Sequence, residues 1–288
     1  MKPEDTKAAD GERPVWLITG CSSGFGREIA LAAAGRGACV VVTARDVERV
    51  ADLASAIGDR ALVLALDVTR AEQVGDAVRA AERRFGRIDV LVNNAGRGFA
   101  GAIEEASDAE IRALYAVNVF GPIEMARAVL PGMRLRRSGA IVNIGSVGGL
   151  VARPGTGIYA STKFAIEGVS QALAAELRPL GIKVMTVEPG PFRTQFLASM
   201  DRARARIDDY DATAGARIEQ TYAGHGQQPG DPARAARAIV EAIGSDAPPT
   251  HLVLGAPALK LVRDELARFG AELDAWESVT LGADFPRE

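Results

Sequence analysis

The sequence predicts an α/β fold: a doubly wound, parallel sheet of seven strands with helices on both faces, built as a single domain. Three observations predict it. Short β-branched apolar runs alternate with longer Ala-, Leu-, Glu- and Arg-rich stretches of helical period. The strand runs are apolar on both faces, so both faces need cover, and each crossover between parallel strands needs a helix. A glycine-rich turn sits where the first strand hands over to the first helix.

Taken in order, strands are expected at Val15–Thr19, Cys39–Thr43, Ala61–Leu66, Asp89–Val92, Ala140–Ile144, Lys183–Val187 and His251–Leu254. Helices are expected between them at Gly26–Arg36, Val47–Ile57, Ala71–Arg84, Asp108–Leu130, Tyr159–Leu180 and Pro232–Ile243, with a last one from Ala258 to about Trp276. Residues 1–13 mix charges without an apolar stretch and are expected to be a disordered lead-in to a single domain over 14–288. The polar segment 195–230 breaks the pattern. It carries Asp201-Arg202-Ala203-Arg204-Ala205-Arg206 and ends in Gly224-His225-Gly226. It reads either as a lid over a site or as an insertion with no part in chemistry.

Composition narrows the function. At 288 residues, folding removes roughly 75% of the extended chain's surface from water, enough for a full core without disulfides or metals. Thirty-four Lys and Arg against 37 Asp and Glu leave a net charge of −3, with no basic surplus for nucleic acid or an anionic membrane. Cys21 and Cys39 make no disulfide framework, no Cys or His spacing suits zinc, and no metal is expected. With only His225 and His251, a Ser-His-Asp hydrolase or a multi-histidine centre is disfavoured. No run of 18 or more apolar residues and no leader is visible, so the expectation is a cytoplasmic chain without a membrane span.

The turn Thr19-Gly20-Cys21-Ser22-Ser23-Gly24-Phe25-Gly26 precedes helical Arg27-Glu28-Ile29-Ala30. Glycines let a backbone approach a pyrophosphate, and the next helix aims free N–H groups and its positive dipole end at it. The spacing G-x-x-x-G-x-G differs from the usual dinucleotide fingerprint, and such turns also serve packing alone. At the end of the second strand, Val42-Thr43-Ala44-Arg45-Asp46 puts Ala44 where an acid would hold an NAD ribose. Arg45 can clamp a 2′-phosphate, which favours NADP with NAD possible; otherwise Arg45 is a solvated charge at a helix entry.

The sharpest signal is Tyr159-Ala160-Ser161-Thr162-Lys163. With 4 Tyr in the chain, Tyr-x-x-x-Lys is expected only roughly 0.07 times by chance. On a helix the i and i+4 positions share a face, so the ammonium lies beside the phenol. Ser146 follows the strand Ile141–Ile144, at the carboxyl edge where such sheets bind ligands. Bringing a phenol from its usual pKa of about 10 to about 7 takes about 4 kcal/mol. One cation at ~5 Å in an effective dielectric of ~20 supplies roughly 3 kcal/mol, and an oxidised nicotinamide could supply the remainder. Tyr159 can therefore act as a general acid/base; alternatively it caps a core while Lys163 is solvated.

Thr19-Gly20-x-x-x-Gly24-x-Gly26, Asp67-Val68, Asn93-Asn94-Ala95-Gly96, Asn118, Ser146, Tyr159-x-x-x-Lys163 and Pro189-Gly190 together resemble the short-chain dehydrogenase/reductase family over about residues 14–255. The stretches Asn118–Gly121 and Glu188–Thr194 look most like the branch of hydroxysteroid and retinol dehydrogenases. The resemblance implies a Rossmann-type fold and hydride transfer between a nicotinamide and a carbonyl or alcohol carbon. Tyr159 would exchange the substrate proton, Ser146 would hold the substrate oxygen, and Lys163 would lower the phenol's pKa and bind the nicotinamide ribose. Asn118 would position a water in the proton path. The cofactor would meet Gly20, Ser22, Ser23, Gly24, Phe25 and Gly26 at its phosphates and Asp67 and Val68 at its adenine. Asn94, Ala95, Gly96, Pro189, Gly190 and Phe192 would pack along it, and Thr194 would reach the carboxamide. A homodimer or homotetramer is implied, pairing through the helices at Asp108–Leu130 and Tyr159–Leu180.

Read from the residues alone, Asn118 could instead bond a helix carbonyl, and Asp67 could simply end a strand in a turn. Cys21 reads as a small buried thiol, His225 and His251 as structural, and Trp276 as packing for the last helix or a subunit contact. Val147–Ala152, Phe192–Leu197 and Phe99 would wall the site with apolar groups, which favours a small apolar ketone, aldehyde or alcohol. Arg202, Arg204 and Arg206 would either meet an acidic group or lie on a solvated lid helix. The rival functions are a non-catalytic nucleotide-binding protein and an epimerase or dehydratase on the same frame.

Overall fold

A computed structural model describes residues 13–285, so all but the last residue of the expected lead-in lies outside the described residues. Seven parallel strands form one sheet: β1 (Val15–Ile18), β2 (Cys39–Ala44), β3 (Ala61–Ala65), β4 (Val90–Asn93), β6 (Gly139–Ile144), β7 (Ile182–Pro189) and β9 (His251–Leu254). Their order is β3-β2-β1-β4-β6-β7-β9. Two short strands the sequence did not suggest, β5 (Phe99–Ala100) and β8 (Asp201–Arg202), pair in parallel outside that sheet. The order turns back between β1 and β4, which opens a crevice at the carboxyl ends of those two strands.

The helices are α1 (Gly24–Gly35), α2 (Ala51–Ile57), α3 (Ala71–Phe85), α4 (Asp108–Tyr115), α5 (Gly121–Arg136), α6 (Gly157–Leu177), α7 (Ala216–Ala223), α8 (Pro232–Gly244), α9 (Ala256–Ala275) and α10 (Glu277–Leu281). One apolar layer sets Ile29, Ala33, Leu53, Ile239 and Ile243 against Ile18, Val40, Val42 and Val92. The other sets Val74, Val78, Met125, Val129 and Met133 against Leu17, Val41, Leu91 and Ile141. Alternate residues of each strand thus serve opposite layers, which is why the strands read as unbroken apolar runs.

The helix expected at Asp108–Leu130 is interrupted. Ser107 and Glu110 close a capping box at its start, and a π turn at Ala116–Phe120 then widens the helix around Asn118 before α5 continues to Arg136. The combined run Asp108–Arg136 is long and apolar enough to cross a membrane by length and composition. Its Met125, Ala126, Val129 and Met133 are buried in the core instead.

The segment 195–230 is folded onto the body. Phe192 bridges Gly230 at its base, β8 pairs with β5, and the Tyr210 hydroxyl donates to Glu104. The solvated arginine helix is corrected: Asp201–Arg202 is a strand, and the helix lies further on at Ala216–Ala223. Arg202 pairs with Glu219 and stacks 4.0 Å over the Tyr222 ring, while Arg206 pairs with Asp211. Those two arginines spend their charge within the segment.

A buried polar ladder crosses the sheet below the crevice. Asn93 Nδ2 donates to Asn143 Oδ1 at 2.9 Å, Asn143 Nδ2 donates to Ser170 Oγ at 2.8 Å, and Ser170 Oγ donates to the Ile166 carbonyl at 2.7 Å. It locks β4, β6 and α6 into one register. Cutting it strands buried donors, which costs about 1–3 kcal/mol per group left unpaired. Asn143→Ala is expected to lower the denaturant midpoint by that order without changing the m-value, as measured by urea unfolding.

Candidate active site

The glycine turn is held from the side. Asn94 Nδ2 donates to the carbonyls of Thr19 at 2.8 Å and Gly20 at 2.9 Å, and the Asn94 and Ala95 amides both donate to Thr19 Oγ1 at 2.9 Å. A Cβ at Gly26 would stand 2.4 Å from Asn94 Nδ2 and 2.5 Å from the Gly20 carbonyl, so only glycine admits this crossing. Gly20 and Gly24 both take positive φ, at 71° and 60°. The sequence placed Asn94, Ala95 and Gly96 beside a cofactor; the structure gives Asn94 a prior task, bracing the turn.

The first turn of α1 carries no acidic residue, and Ser23, at its N-cap, makes no side-chain cap bond. By contrast, Ser107 caps α4 and Asp231 caps α8. The leading N–H groups of α1 therefore remain available to an anion. Beside them, at the end of β2, a cleft of about 350 Å³ is lined by Ser22, Ala44, Arg45, Asp46 and Arg49. Arg49, which the sequence reading missed, stands four residues after Arg45 on the same wall. A free helix start and two arginines around one cleft suit a phosphate-bearing nucleotide.

The remaining expected cofactor positions line up along the crevice. Asp67 Oδ1 accepts from the Thr69 amide at 3.0 Å and hydroxyl at 2.7 Å, the turn-forming role that was the plainer alternative. Burial works against its ionisation, yet those bonds and the charges of Arg45 and Arg70 hold its carboxyl below the usual range. Val68 is buried against Gly121 of α5. The Gly190 amide donates to Leu254 at 3.0 Å, and Pro189 ends β7 beside it. Phe25 and Phe192 meet edge-on, 5.1 Å between centroids, while Thr194 packs against Gly24.

Ser146, Tyr159, Lys163 and Asn118 converge. Ser146 leaves β6 in extended backbone and its Oγ accepts from the Gly148 amide at 3.0 Å; that Oγ and the Tyr159 ring lie 3.4 and 3.6 Å from the point a Cβ at Gly148 would occupy. Lys163 is buried; its Nζ donates to the Ile144 carbonyl at 2.8 Å and stands 5.8 Å from the centroid of the Tyr159 ring. Asn118 accepts from the Arg97 amide at 2.8 Å and donates to the Arg97 carbonyl at 2.9 Å and to Thr162 Oγ1 at 3.1 Å. Asn118 Oδ1 and Lys163 Nζ lie 3.4 and 3.9 Å from the point a Cβ at Gly96 would occupy. Both atoms thus face one spot. Over Tyr159 leans Phe196 of the 195–230 segment, with ring centroids 5.7 Å apart.

In the chain alone, burial pushes the Tyr159 phenol up to about 12, opposed by a hydrogen bond from Ser146. Burial also pulls Lys163 down to about 8, against the pull of Glu167, while its Nζ donates to a backbone carbonyl.

The sequence profile of the short chain dehydrogenases matches residues 14–205. The chain belongs to that family. The dehydrogenase is 34% identical over 270 residues to oxidoreductase BOA17 of Botryotinia fuckeliana, covering 93% of this chain and 98% of the relative. It is 37% identical to bovine retinol dehydrogenase 8 over 84% of this chain and 81% of that one, and so resembles the retinol dehydrogenase branch. A short-chain dehydrogenase from Streptomyces avermitilis superposes with a TM-score of 0.89 at 43% identity, over 95% of this chain and 100% of its own. A Burkholderia phymatum relative in complex with NAD superposes at TM-score 0.78 and 26% identity, over 89% and 94% of the two chains. ElxO with NADP bound does so at 0.73 and 30%, over 86% and 99%. The protein is an NAD(P)-dependent dehydrogenase/reductase.

Sequence reasoning left His251 as structural and did not single out Glu167 or Glu188. His251 Nδ1 lies 2.8 Å from Glu188 Oε1 and 3.4 Å from Glu167 Oε2, with both carboxyls buried. Desolvation, and for Glu167 the neighbouring Glu188 charge, pushes each up to about 8. Because both rise above the ordinary value of 4.5, the folded state binds more protons than the unfolded chain between those limits. That stability is whole below about pH 4.5 and is lost as pH rises to about 8. Melting temperatures at pH 5.5 and 8.5 are expected to fall less for Glu188→Gln than for the wild type.

Proposed function

We propose that this dehydrogenase is an NADP(H)-dependent oxidoreductase that interconverts a carbonyl and an alcohol carbon of a small, largely apolar substrate, with Tyr159 as general acid/base. The observation that carries the reading is the convergence of Ser146, Tyr159 and Lys163 on one spot at the crevice, under the Phe196 ring. A bound nicotinamide supplies or accepts the hydride. Ser146 orients the substrate oxygen beside the phenol, and Tyr159 moves the proton at that oxygen. Lys163, anchored on Ile144, keeps a cation behind the phenol. Asn118 Oδ1 retains an acceptor lone pair toward the spot it shares with Lys163, which suits a water in the proton path.

The apolar substrate class is supported by Phe196 and Met200, which close on Gly98 and Tyr159 with few polar groups among them. The NADP preference is supported by Arg45 and Arg49 in the cleft beside Ser22. Their planar forks match a 2′-phosphate. Phe120 and Phe164, exposed on the π turn and α6, support pairing of copies through those elements.

Three outcomes test this reading. Tyr159→Phe is expected to cut kcat for NADPH-driven reduction of hydrophobic aldehydes and ketones by about 10²–10⁴-fold; full activity in that variant would remove the phenol from the chemistry. A phenol held high by burial is a ready proton donor. Reduction should therefore stay nearly flat from pH 6 to 9, while alcohol oxidation, which needs the phenolate, climbs over the same range. Arg45→Ala and Arg49→Ala should each weaken NADPH binding by about tenfold in calorimetry and leave NADH unchanged.

A further inference from the structure

The C-terminal helix is poorly housed. Ala258 is buried and Leu261 and Val262 lean on the body, but from Leu266 onward α9 runs out nearly unsupported. Its free part is not polar. Leu266, Phe269, Leu273 and Trp276 are each more than half exposed. Leu266, Phe269 and Leu273 recur at intervals of three and four residues and form one stripe on one side of α9, and Trp276 follows three residues on, at the junction of α9 and α10. Leu259, 43% exposed, begins the stripe about two turns earlier.

The flanks of that stripe are charged in a self-complementary way. One flank of α9 carries Arg263 and Gly270, and Glu277 opens α10 seven residues further on, so the cation and the anion are equidistant in sequence from the glycine. Among the described residues neither Arg263 nor Glu277 forms an ion pair. On the other flank Arg268 already neutralises Glu265 and Glu272 within the helix. A Cβ at Gly270 would meet nothing within 4 Å.

We propose that α9 is a self-association arm, which packs antiparallel against α9 of a second copy of this chain about a two-fold axis beside Gly270. Such an axis sets Leu266 against Trp276 of the second copy and Phe269 against Leu273. It also brings Arg263 beside Glu277 twice, as an isologous contact requires. The half-exposed aromatic and leucine side chains each keep on the order of 100 Å² to bury, so two arms together approach the lower end of the ~1,200–2,000 Å² of a specific interface. α9 carries four acids, Asp264, Glu265, Glu272 and Asp274, against three bases, a balance that favours another copy over an anionic lipid surface. The contact is separate from the faces carrying Phe120 and Phe164, and it does not depend on the proposed chemistry.

Disulfide trapping of the full chain tests the register, since Cys21 and Cys39 are both buried and give little background. Gly270→Cys is expected to give a covalent dimer on mild oxidation with copper phenanthroline, whereas Ala271→Cys, on the opposite side of the helix, should not. In light scattering, Leu266→Glu with Leu273→Glu should lower the oligomer by one step while aldehyde reduction and melting temperature stay unchanged. Arg263→Glu should weaken association at least tenfold, and Glu277→Arg added to it should restore it. An unchanged mass in the leucine variant, or equal trapping at positions 270 and 271, would overturn the proposal. So would wild-type protein of the lower mass that sediments with phosphatidylcholine–phosphatidylglycerol vesicles.

Discussion

A single hydrogen bond, from Lys163 Nζ to the Ile144 carbonyl at 2.8 Å, joins the two elements on which the site is built. Ile144 ends β6 two residues before Ser146, and Lys163 lies one helical turn after Tyr159 on α6. Fixing the lysine therefore fixes the distance between the Ser146 hydroxyl and the Tyr159 phenol, the two groups proposed to act on a substrate oxygen. Below that bond, Asn93, Asn143 and Ser170 repeat the tie between the sheet and α6 with neutral groups. The site is rigid because polar bonds in a dry interior tolerate little displacement.

The nucleotide side of the crevice follows the same logic with different atoms. Thr19 and Asn94 satisfy each other's backbone and leave the glycine turn no freedom to close. The first turn of α1, without a side-chain cap, keeps its donors pointed at the crevice. A helix start that folding alone would cap is left open at the place proposed for the nucleotide phosphates, and the stability forgone there is small beside what a bound phosphate would return.

Most of the fold was legible because its periodicities are strong. All seven strands of the main sheet fall within two residues of their expected bounds, since each is short, apolar on both faces and flanked by turn residues. The candidate set of Ser146, Tyr159 and Lys163 was legible because Tyr and Lys are rare residue types here and stand at helical spacing. The pieces that escaped depend on partners distant in sequence. The π turn around Asn118 has no composition of its own, and β5 and β8 exist only because the 195–230 segment folds back onto residues 97–105. The pairing of Glu167 with Glu188 and His251 joins residues up to 84 positions apart, so no local pattern announces it.

That acid pair explains a detail beside Ser146. A Cβ at Gly145 would stand 2.9 Å from Glu167 Oε1 and 2.9 Å from Thr186 Cγ2, so the residue before Ser146 must lack a side chain. Glu167 lies one turn beyond Lys163 on the same face of α6, and the lysine feels its charge. Burial raises Glu167 and Glu188 and lowers Lys163, so each of the three is pressed toward its neutral form in the same dry interior. The surroundings of the lysine behind Tyr159 are thus built jointly by α6, β7 and β9, and the half-exposed His251 closes that cluster toward solvent.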